Sequence, residues 1–182
     1  MVADMIDLQD YGYVDSGLPA EVGLVPARIT EIRRERYKAV CMHGEVAAAL
    51  TGSFMHCAAD RADYPSVGDF VLLRYNRQGV SGITQLLPRF SKFSRTDFSG
   101  HAAGYVKTVL EQVVATNFDY VFILSSLNQD FNAGRIARYL TQARQSGGLP
   151  VVVLTKADLC EDVDGPVRAV QEAAGDVDVI PL

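Results

Sequence analysis

Hydrophobic and polar positions follow two different patterns along the chain. Between about Val25 and Leu87, short apolar-rich segments alternate with polar turns at the spacing of β-hairpins. After about Leu110, apolar runs alternate with segments that have the three- and four-residue periodicity of helices. The change of pattern predicts a multi-domain protein, with a small β domain followed by an α/β domain.

Five strands are predicted in the first half of the chain. They lie at Val25–Ile32, Tyr37–Met42, Glu45–Leu50, Phe70–Tyr75 and Gly82–Leu87. Five short strands of this kind predict a small closed barrel. The OB-fold, which binds oligonucleotides, fits the length best, and the pattern alone also permits an SH3-like barrel.

The second half is predicted to be a parallel βαβαβ sheet. Its predicted elements are strands at Glu111–Thr116 and Tyr120–Ser125, a helix at Ala133–Gln145, a strand at Val151–Leu154, a helix at Pro166–Ala174 and a strand at Val177–Pro181. The predicted domains are an N-terminal extension at 1–24, an OB-like barrel at 25–88, a linker at 89–109 and the α/β domain at 110–182.

The tetrapeptide Thr155-Lys156-Ala157-Asp158 directly follows the most apolar predicted strand. Ligands of open α/β sheets bind at the carboxyl ends of strands, where this tetrapeptide lies. A [Thr/Asn]-Lys-x-Asp element there is the guanine-recognition motif of GTPases, because one carboxylate can accept both neighbouring donors of the base, which adenine lacks. In the alternative interpretation, these four residues form a solvated turn of an unrelated α/β protein.

Composition indicates a globular protein. The chain has 182 residues, of which 48% are hydrophobic and 21% charged, and no apolar run approaches the roughly 18 residues of a membrane span. The start of the chain shows no secretory signal, and three scattered cysteines fit a reducing compartment. We therefore expect a cytoplasmic protein without a membrane partner, present as a monomer.

The chain as a whole is acidic, with a net charge of −5, but its middle segment is basic. Residues 28–95 carry eleven basic and six acidic residues, and aromatic residues lie among the basic ones. Arginines that meet phosphates beside rings that stack on bases are typical of RNA-binding surfaces. The candidate RNA-binding residues are Arg33, Arg34, Arg36, Arg74, Arg77, Arg89, Lys92 and Arg95.

Three other signals are weak. Cys41 with His43, and His56 with Cys57, lack the paired close spacings of a four-ligand zinc site, so no metal site is predicted. Two Asp-x-x-Gly segments, at 97–100 and 162–165, match the γ-phosphate loop of GTPases only by pattern, because neither follows a buried strand. His101 has no orienting partner in the sequence, and we interpret it as a loop residue.

The chain resembles the circularly permuted ribosome small subunit-dependent GTPase A family (RsgA/YjeQ) in several segments that occur in the same order. These are residues 23–29, 87–95 and 111–123, the run from Ser126 to Asn132 with Arg135–Leu140 behind it, and the Thr155–Asp158 motif. The resemblance implies an OB-like barrel followed by the first half of a circularly permuted P-loop GTPase. It also implies GTP or GDP with Mg²⁺ as cofactors and the small ribosomal subunit with its rRNA as partners, during late subunit maturation. In this chain the guanine site would consist of Thr155, Lys156 and Asp158.

One family feature is missing. The chain has no Gly-Lys dipeptide, and therefore no Gly-x₄-Gly-Lys-[Ser/Thr] loop to bind phosphates and magnesium. The family's zinc-binding C-terminal region is also absent from this sequence. We expect an amino-terminal part of the family's protein that is inactive alone and has no catalytic residues of its own. Two alternatives remain, an RNA-binding module without nucleotide function and a non-functional truncation product.

Overall fold

The computed structural model describes residues 5–15, 23–34, 36–97 and 110–182. The chain divides into two compact units, Met1–Asn117 and Phe118–Leu182. Residues 98–109 of the predicted linker lie outside the described residues. They include His101 and the end of the first Asp-x-x-Gly segment.

The first unit is built around a closed five-stranded barrel. Its strands are β1 (Leu24–Arg33), β2 (Arg36–Cys41), β3 (Gly44–Leu50), β4 (Phe70–Arg74) and β5 (Ser81–Leu86). They close in the order β1-β2-β3-β5-β4, in which β3 and β5 are parallel and the other described pairs are antiparallel. All five strands were predicted, and the barrel is of the OB type rather than the SH3-like type.

The barrel interior is filled by alternate side chains of its strands, since successive residues of a strand point to opposite faces. The buried set comprises Ala27, Ile29, Tyr37, Ala39, Cys41, Ala48, Val71, Leu73 and Ile83. A short helix that the periodicity did not reveal, α1 (Gly52–Cys57), adds Phe54 to this core. The helix begins after Thr51, whose hydroxyl accepts a hydrogen bond from the Phe54 backbone N–H at 3.3 Å.

Two further strands belong to the first unit, β6 (Lys92–Asp97) and β7 (Leu110–Thr116), which pair antiparallel. The prediction that Glu111–Thr116 begins the parallel sheet is therefore corrected. At the end of β7, the Thr116 N–H donates to Val67 O at 3.0 Å, and the buried side chain of the next residue, Asn117, donates to Gly68 O at 3.1 Å. These bonds hold β7 on the barrel unit, so the boundary falls after Asn117 instead of at residue 110.

The second unit is a parallel βαβαβ sheet, as predicted. It contains β8 (Tyr120–Ser126), α2 (Ala133–Gln145), β9 (Leu149–Thr155), α3 (Asp164–Ala174) and β10 (Asp178–Pro181). The strand order is β10-β9-β8, with parallel pairing throughout. Both helices pack on one face of the sheet, where they bury Ile123, Val152 and Leu154.

The opposite face of this sheet is exposed along β8. Along β8 the side chains of Tyr120, Phe122 and Leu124 are 57%, 61% and 66% exposed, and Ile180 lies in register with Leu124 on the same face. We call these four residues the open face. None of the helices in the described part of the chain is long and apolar enough to span a bilayer.

Candidate functional site

The Thr155–Asp158 segment lies at the carboxyl edge of the parallel sheet, where β9 ends. Backbone bonds hold it on both sides. The Leu127 N–H, just after β8, donates to Thr155 O at 2.8 Å, and the Ala157 N–H donates to Leu182 O at 2.8 Å. The motif is thus fixed between the ends of its two neighbouring strands, at the edge where α/β proteins bind ligands.

A sharp change of backbone direction presents the motif's side chains. Lys156 has a φ of +64°, in the left-handed region, and a 3-10 turn at Ala157–Leu159 follows directly. A left-handed conformation costs a residue other than glycine about 1–2 kcal/mol. Such strain is found preferentially at functional sites, where it positions a side chain that the regular strand would point elsewhere.

The two charged side chains of the motif are exposed, and Thr155 is half-buried. Within the described residues, the Asp158 carboxylate has neither a hydrogen bond nor an ion pair. Both of its oxygens are therefore available to a ligand that presents two donors side by side. Bonds to an ionised carboxylate are roughly twice as strong as neutral hydrogen bonds.

A second loop at the same edge was not assigned a role from the sequence. Asn128 Oδ1 accepts from the Ser126 hydroxyl and from the Asp130 N–H, both at 3.0 Å. Asn132 caps α2 by accepting the Arg135 N–H at 2.8 Å, and hydrogen bonds from Arg135 hold the pKa of the Asp130 carboxyl below its ordinary value. The Asn-x-Asp-x-Asn spacing is the signal that could have indicated this ordered loop.

A broad concavity of the second unit lies at the opposite edge. Its volume is about 1020 Å³, and it is lined by Tyr120, Gly148, Leu149 and Asp178, which begin the strands or precede them. The predicted motif therefore does not lie in this groove. We retain the carboxyl edge as the candidate site because strand polarity, rather than concavity, determines where parallel sheets place functional loops.

The predicted basic residues do not form one surface. The register of β1 pairs Leu24 with Arg74 at one end and Arg33 with Arg36 at the other. At roughly 3.3 Å per residue, the two ends of this ten-residue strand are separated by about 30 Å measured along the strand. Arg74 and Arg77 are thus separated from the cluster of Arg33, Arg34 and Arg36.

Arg89 has an internal role. Its guanidinium donates to both carboxylate oxygens of Asp69, at 2.8 and 2.6 Å, and to the carbonyls of Ala62 and Tyr64, at 2.8 and 3.0 Å. Since these bonds occupy the fork of the guanidinium, we remove Arg89 from the predicted RNA-binding set. Arg33 and Lys38 both pair with Glu31 at the surface.

The weak signals have structural explanations. His43 stacks on Tyr75 with ring centroids 4.2 Å apart, and the Cys41 thiol donates to Gly44 O at 3.6 Å. Asp162 accepts the Gly165 N–H at 3.0 Å, at the start of α3. No group of three or more potential metal ligands occurs among the residues that the structure describes.

Comparison with known proteins agrees with this architecture. The sequence profile of the RsgA GTPase family matches residues 86–181. A Lactiplantibacillus plantarum protein named small ribosomal subunit biogenesis GTPase RsgA 2 is 39% identical over 178 residues, which are 96% of this chain and 48% of the relative. An Opitutus terrae protein named small ribosomal subunit biogenesis GTPase RsgA is 37% identical over 172 residues, which are 90% and 45% of the two chains. The chain spans about half the length of the curated relatives it matches.

Two solved structures are similar in fold. YjeQ from Thermotoga maritima superposes with a TM-score of 0.66 at 18% identity, over 87% of this chain and 51% of that protein. YloQ, described as a circularly permuted GTPase, superposes with a TM-score of 0.61 at 17% identity, over 90% and 53%. The likeness confirms the predicted fold class, an OB-like barrel followed by the first half of a circularly permuted GTPase domain.

Proposed function

This chain belongs to the RsgA GTPase family, and we propose that it contributes the guanine-recognition element and the RNA-binding barrel of a GTPase for biogenesis of the small ribosomal subunit. The observation that carries the proposal is the exposed carboxylate of Asp158 at the carboxyl end of β9, which has no partner among the residues that the structure describes. The names of the curated relatives support the biological context.

The chemistry of the motif fits guanine. Asp158 would accept the ring N1–H and the exocyclic amine of the base together, and adenine lacks that pair of donors. The aliphatic stem of Lys156 would cover the base, and Thr155 would brace the loop. A site that relies on paired donors discriminates strongly, because the wrong base leaves an acceptor without its partner.

The sequence has no motif that would bind the triphosphate part of a nucleoside triphosphate. No Gly-Lys dipeptide occurs in the sequence, so the loop that binds phosphates and supplies a magnesium ligand has no counterpart among these residues. We therefore expect weak binding through the base alone and no GTP hydrolysis by this chain.

Weak binding of the base can be measured by NMR, since the protein is only 19.8 kDa. A ¹⁵N-labelled sample would be titrated with millimolar GMP or AMP. We expect GMP to shift the amide signals of residues 155–159 and AMP to leave them in place. Equal shifts with both nucleotides, or no shifts with either, would contradict the proposal.

A base-specificity exchange provides a sharper test. Asp158→Asn replaces one acceptor by a donor, which matches the N1–H donor and C2 oxygen of xanthine. The variant should lose its response to GMP and gain one to XMP. Asp176→Asn, the same charge change at an exposed position after α3, serves as the control and should respond as the unmodified chain does.

The RNA-binding part of the proposal rests on the basic segment 28–95 of the barrel unit. Binding driven by phosphate contacts should weaken steeply as salt concentration rises. If RNA binds in this way but Asp158 never responds to guanine, the alternative of an RNA-binding module with an α/β scaffold is favoured.

A further inference from the structure

A polar groove of about 620 Å³ lies in the barrel unit, and its principal lining residues are Ile32, Arg34, Arg61, Tyr64 and Gln112. We infer that this groove binds an unstacked nucleotide of single-stranded RNA, with the base stacked on Tyr64 and the flanking phosphates near Arg34 and Arg61. The inference rests on the proposed RNA-binding function of the barrel. The volume of the groove is within the roughly 300–1,000 Å³ that is typical of small-ligand sites.

The charge of the groove suits a phosphate backbone. Arg34 and Arg61 line it, and none of the described residues that line it is acidic. Arg95 donates from Nε to Gln112 Oε1 at 2.8 Å, which adds a third guanidinium beside the groove. Asp63, two residues after Arg61, does not line the groove. Its carboxylate accepts hydrogen bonds from the backbone N–H groups of Ala59 and Asp60, at 2.9 and 3.0 Å.

Gln112 supplies a group that can contact a base edge. Because its carbonyl oxygen accepts the bond from Arg95, its amide nitrogen remains as a donor. Base edges are accessible to side chains chiefly in single strands, where bases can leave the stack. An amide donor beside an aromatic ring is therefore more useful for a single strand than for a duplex.

Tyr64 is a firmly held stacking platform. Its side chain is 37% exposed, and its ring packs edge-on against Phe54, with centroids 6.5 Å apart. The Tyr64 carbonyl accepts from Arg89, and the Ser66 N–H donates to Asp69 Oδ2 at 2.6 Å. The buried Arg89–Asp69 pair thus fixes the backbone on both sides of the ring, so binding does not have to order this loop.

Fluorescence anisotropy with a labelled decamer of uridylate would test the inference. Tyr64→Leu should weaken binding about tenfold, since stacking on one aromatic ring has an effect of this order. The dependence on salt should stay the same, because no phosphate contact is lost. Tyr64→Phe should retain the affinity of the unmodified chain, and so separates loss of the ring from loss of the hydroxyl.

Arginine variants separate this groove from a diffuse basic surface. Arg34→Ala and Arg61→Ala should each weaken binding and make its salt dependence shallower by about one phosphate contact. The matched control is the double variant Arg138→Ala/Arg168→Ala, which removes two exposed arginines of the second unit and should bind nearly as well as the unmodified chain.

Three results would overturn the inference while RNA still binds. They are unchanged affinity in Tyr64→Leu, an equal loss in the Arg138/Arg168 control, and an equal Tyr64→Leu effect on a perfect RNA duplex. In each case the guanine test at Asp158 remains independent. Absence of binding to the decamer in every variant and in the unmodified chain would instead refute the inference together with the RNA-binding part of the proposed function.

Discussion

The guanidinium of Arg89 and the carboxylate of Asp69 form a buried two-point ion pair inside the barrel unit. The Asp69 side chain is fully buried and that of Arg89 is 14% exposed. Arg89 was predicted to contact RNA, and it instead connects the loop before β4 with the segment after β5. In the proposed RNA-binding groove its contribution would be indirect, through the loop that carries Tyr64.

Removal of one partner of this pair should destabilise the barrel strongly. Arg89→Met leaves the Asp69 carboxylate buried without its partner, for which we expect a loss of about 3–5 kcal/mol in unfolding free energy. Urea unfolding, followed through the amide resonances of the barrel strands, would measure the loss. Arg33→Met, which removes a surface partner of Glu31, is the control and should leave the urea midpoint nearly unchanged.

Gly68 is required where β7 meets the barrel. Its φ is +93°, and a Cβ at this position would lie 2.0 Å from the Thr116 carbonyl oxygen. Gly68→Ala should therefore cost about 3 kcal/mol or more and loosen β7, because the backbone contact cannot yield. Circular dichroism melting and hydrogen exchange at Thr116 would report both effects.

Gly44→Ala is the control for Gly68→Ala, because it should introduce backbone strain without a steric clash. Gly44 also has a positive φ, of +103°, but no atom lies within 4 Å of an added Cβ. We expect a loss of only about 1–2 kcal/mol, the cost of the left-handed backbone alone. Equal losses in the two variants would contradict the steric explanation for Gly68.

Lys156 should show a conflict between stability and ligand binding. Lys156→Gly relieves the left-handed strain and should raise the unfolding free energy by about 0.5–1 kcal/mol, while it removes the stem expected to cover guanine. Ala157→Gly, one residue further in the 3-10 turn, should lower the unfolding free energy by about 0.5–1 kcal/mol. Chemical denaturation gives both values, and a loss of stability in Lys156→Gly would contradict the role of strain.

The open face should govern the solubility of the second unit. Phe122→Thr with Leu124→Thr removes exposed apolar surface and should shift light-scattering profiles toward a single small species without loss of stability. Ile123→Thr lies between them on the helix-covered face, where it is 6% exposed, and should cost about 2 kcal/mol or more. If the double variant self-associates as strongly as the unmodified chain, this face is not the cause.

Local signals in the sequence predicted most of the fold. The helix α2 was predicted with its observed bounds, because its apolar periodicity stops before Gly147-Gly148. The five barrel strands were predicted to within one residue at each end, because alternation and turn residues mark their ends. Strand β7 was recognised as a strand, but its pairing with β6 depends on contacts that no local pattern encodes.

The candidate sites were predicted less evenly. The Thr155–Asp158 motif follows a strand as expected, since both the strand and the motif are contiguous in sequence. The role of Arg89 could not be read from sequence, because its partner lies 20 residues away and its burial depends on barrel closure. The groove that Arg61 and Tyr64 line was likewise not predicted from the sequence. Another lining residue, Gln112, is distant in sequence and is positioned by the pairing of β6 with β7.

Because β8 lies at the edge of its sheet, hydrogen exchange at its backbone amides can detect the addition of another strand. Within the described residues β8 bonds to β9 alone, so alternate backbone amides along it face outward and should exchange with deuterium quickly. Any polypeptide that adds a strand beside β8 would slow every second amide and leave the others as they are. That alternating footprint would identify strand addition without labels on the incoming chain.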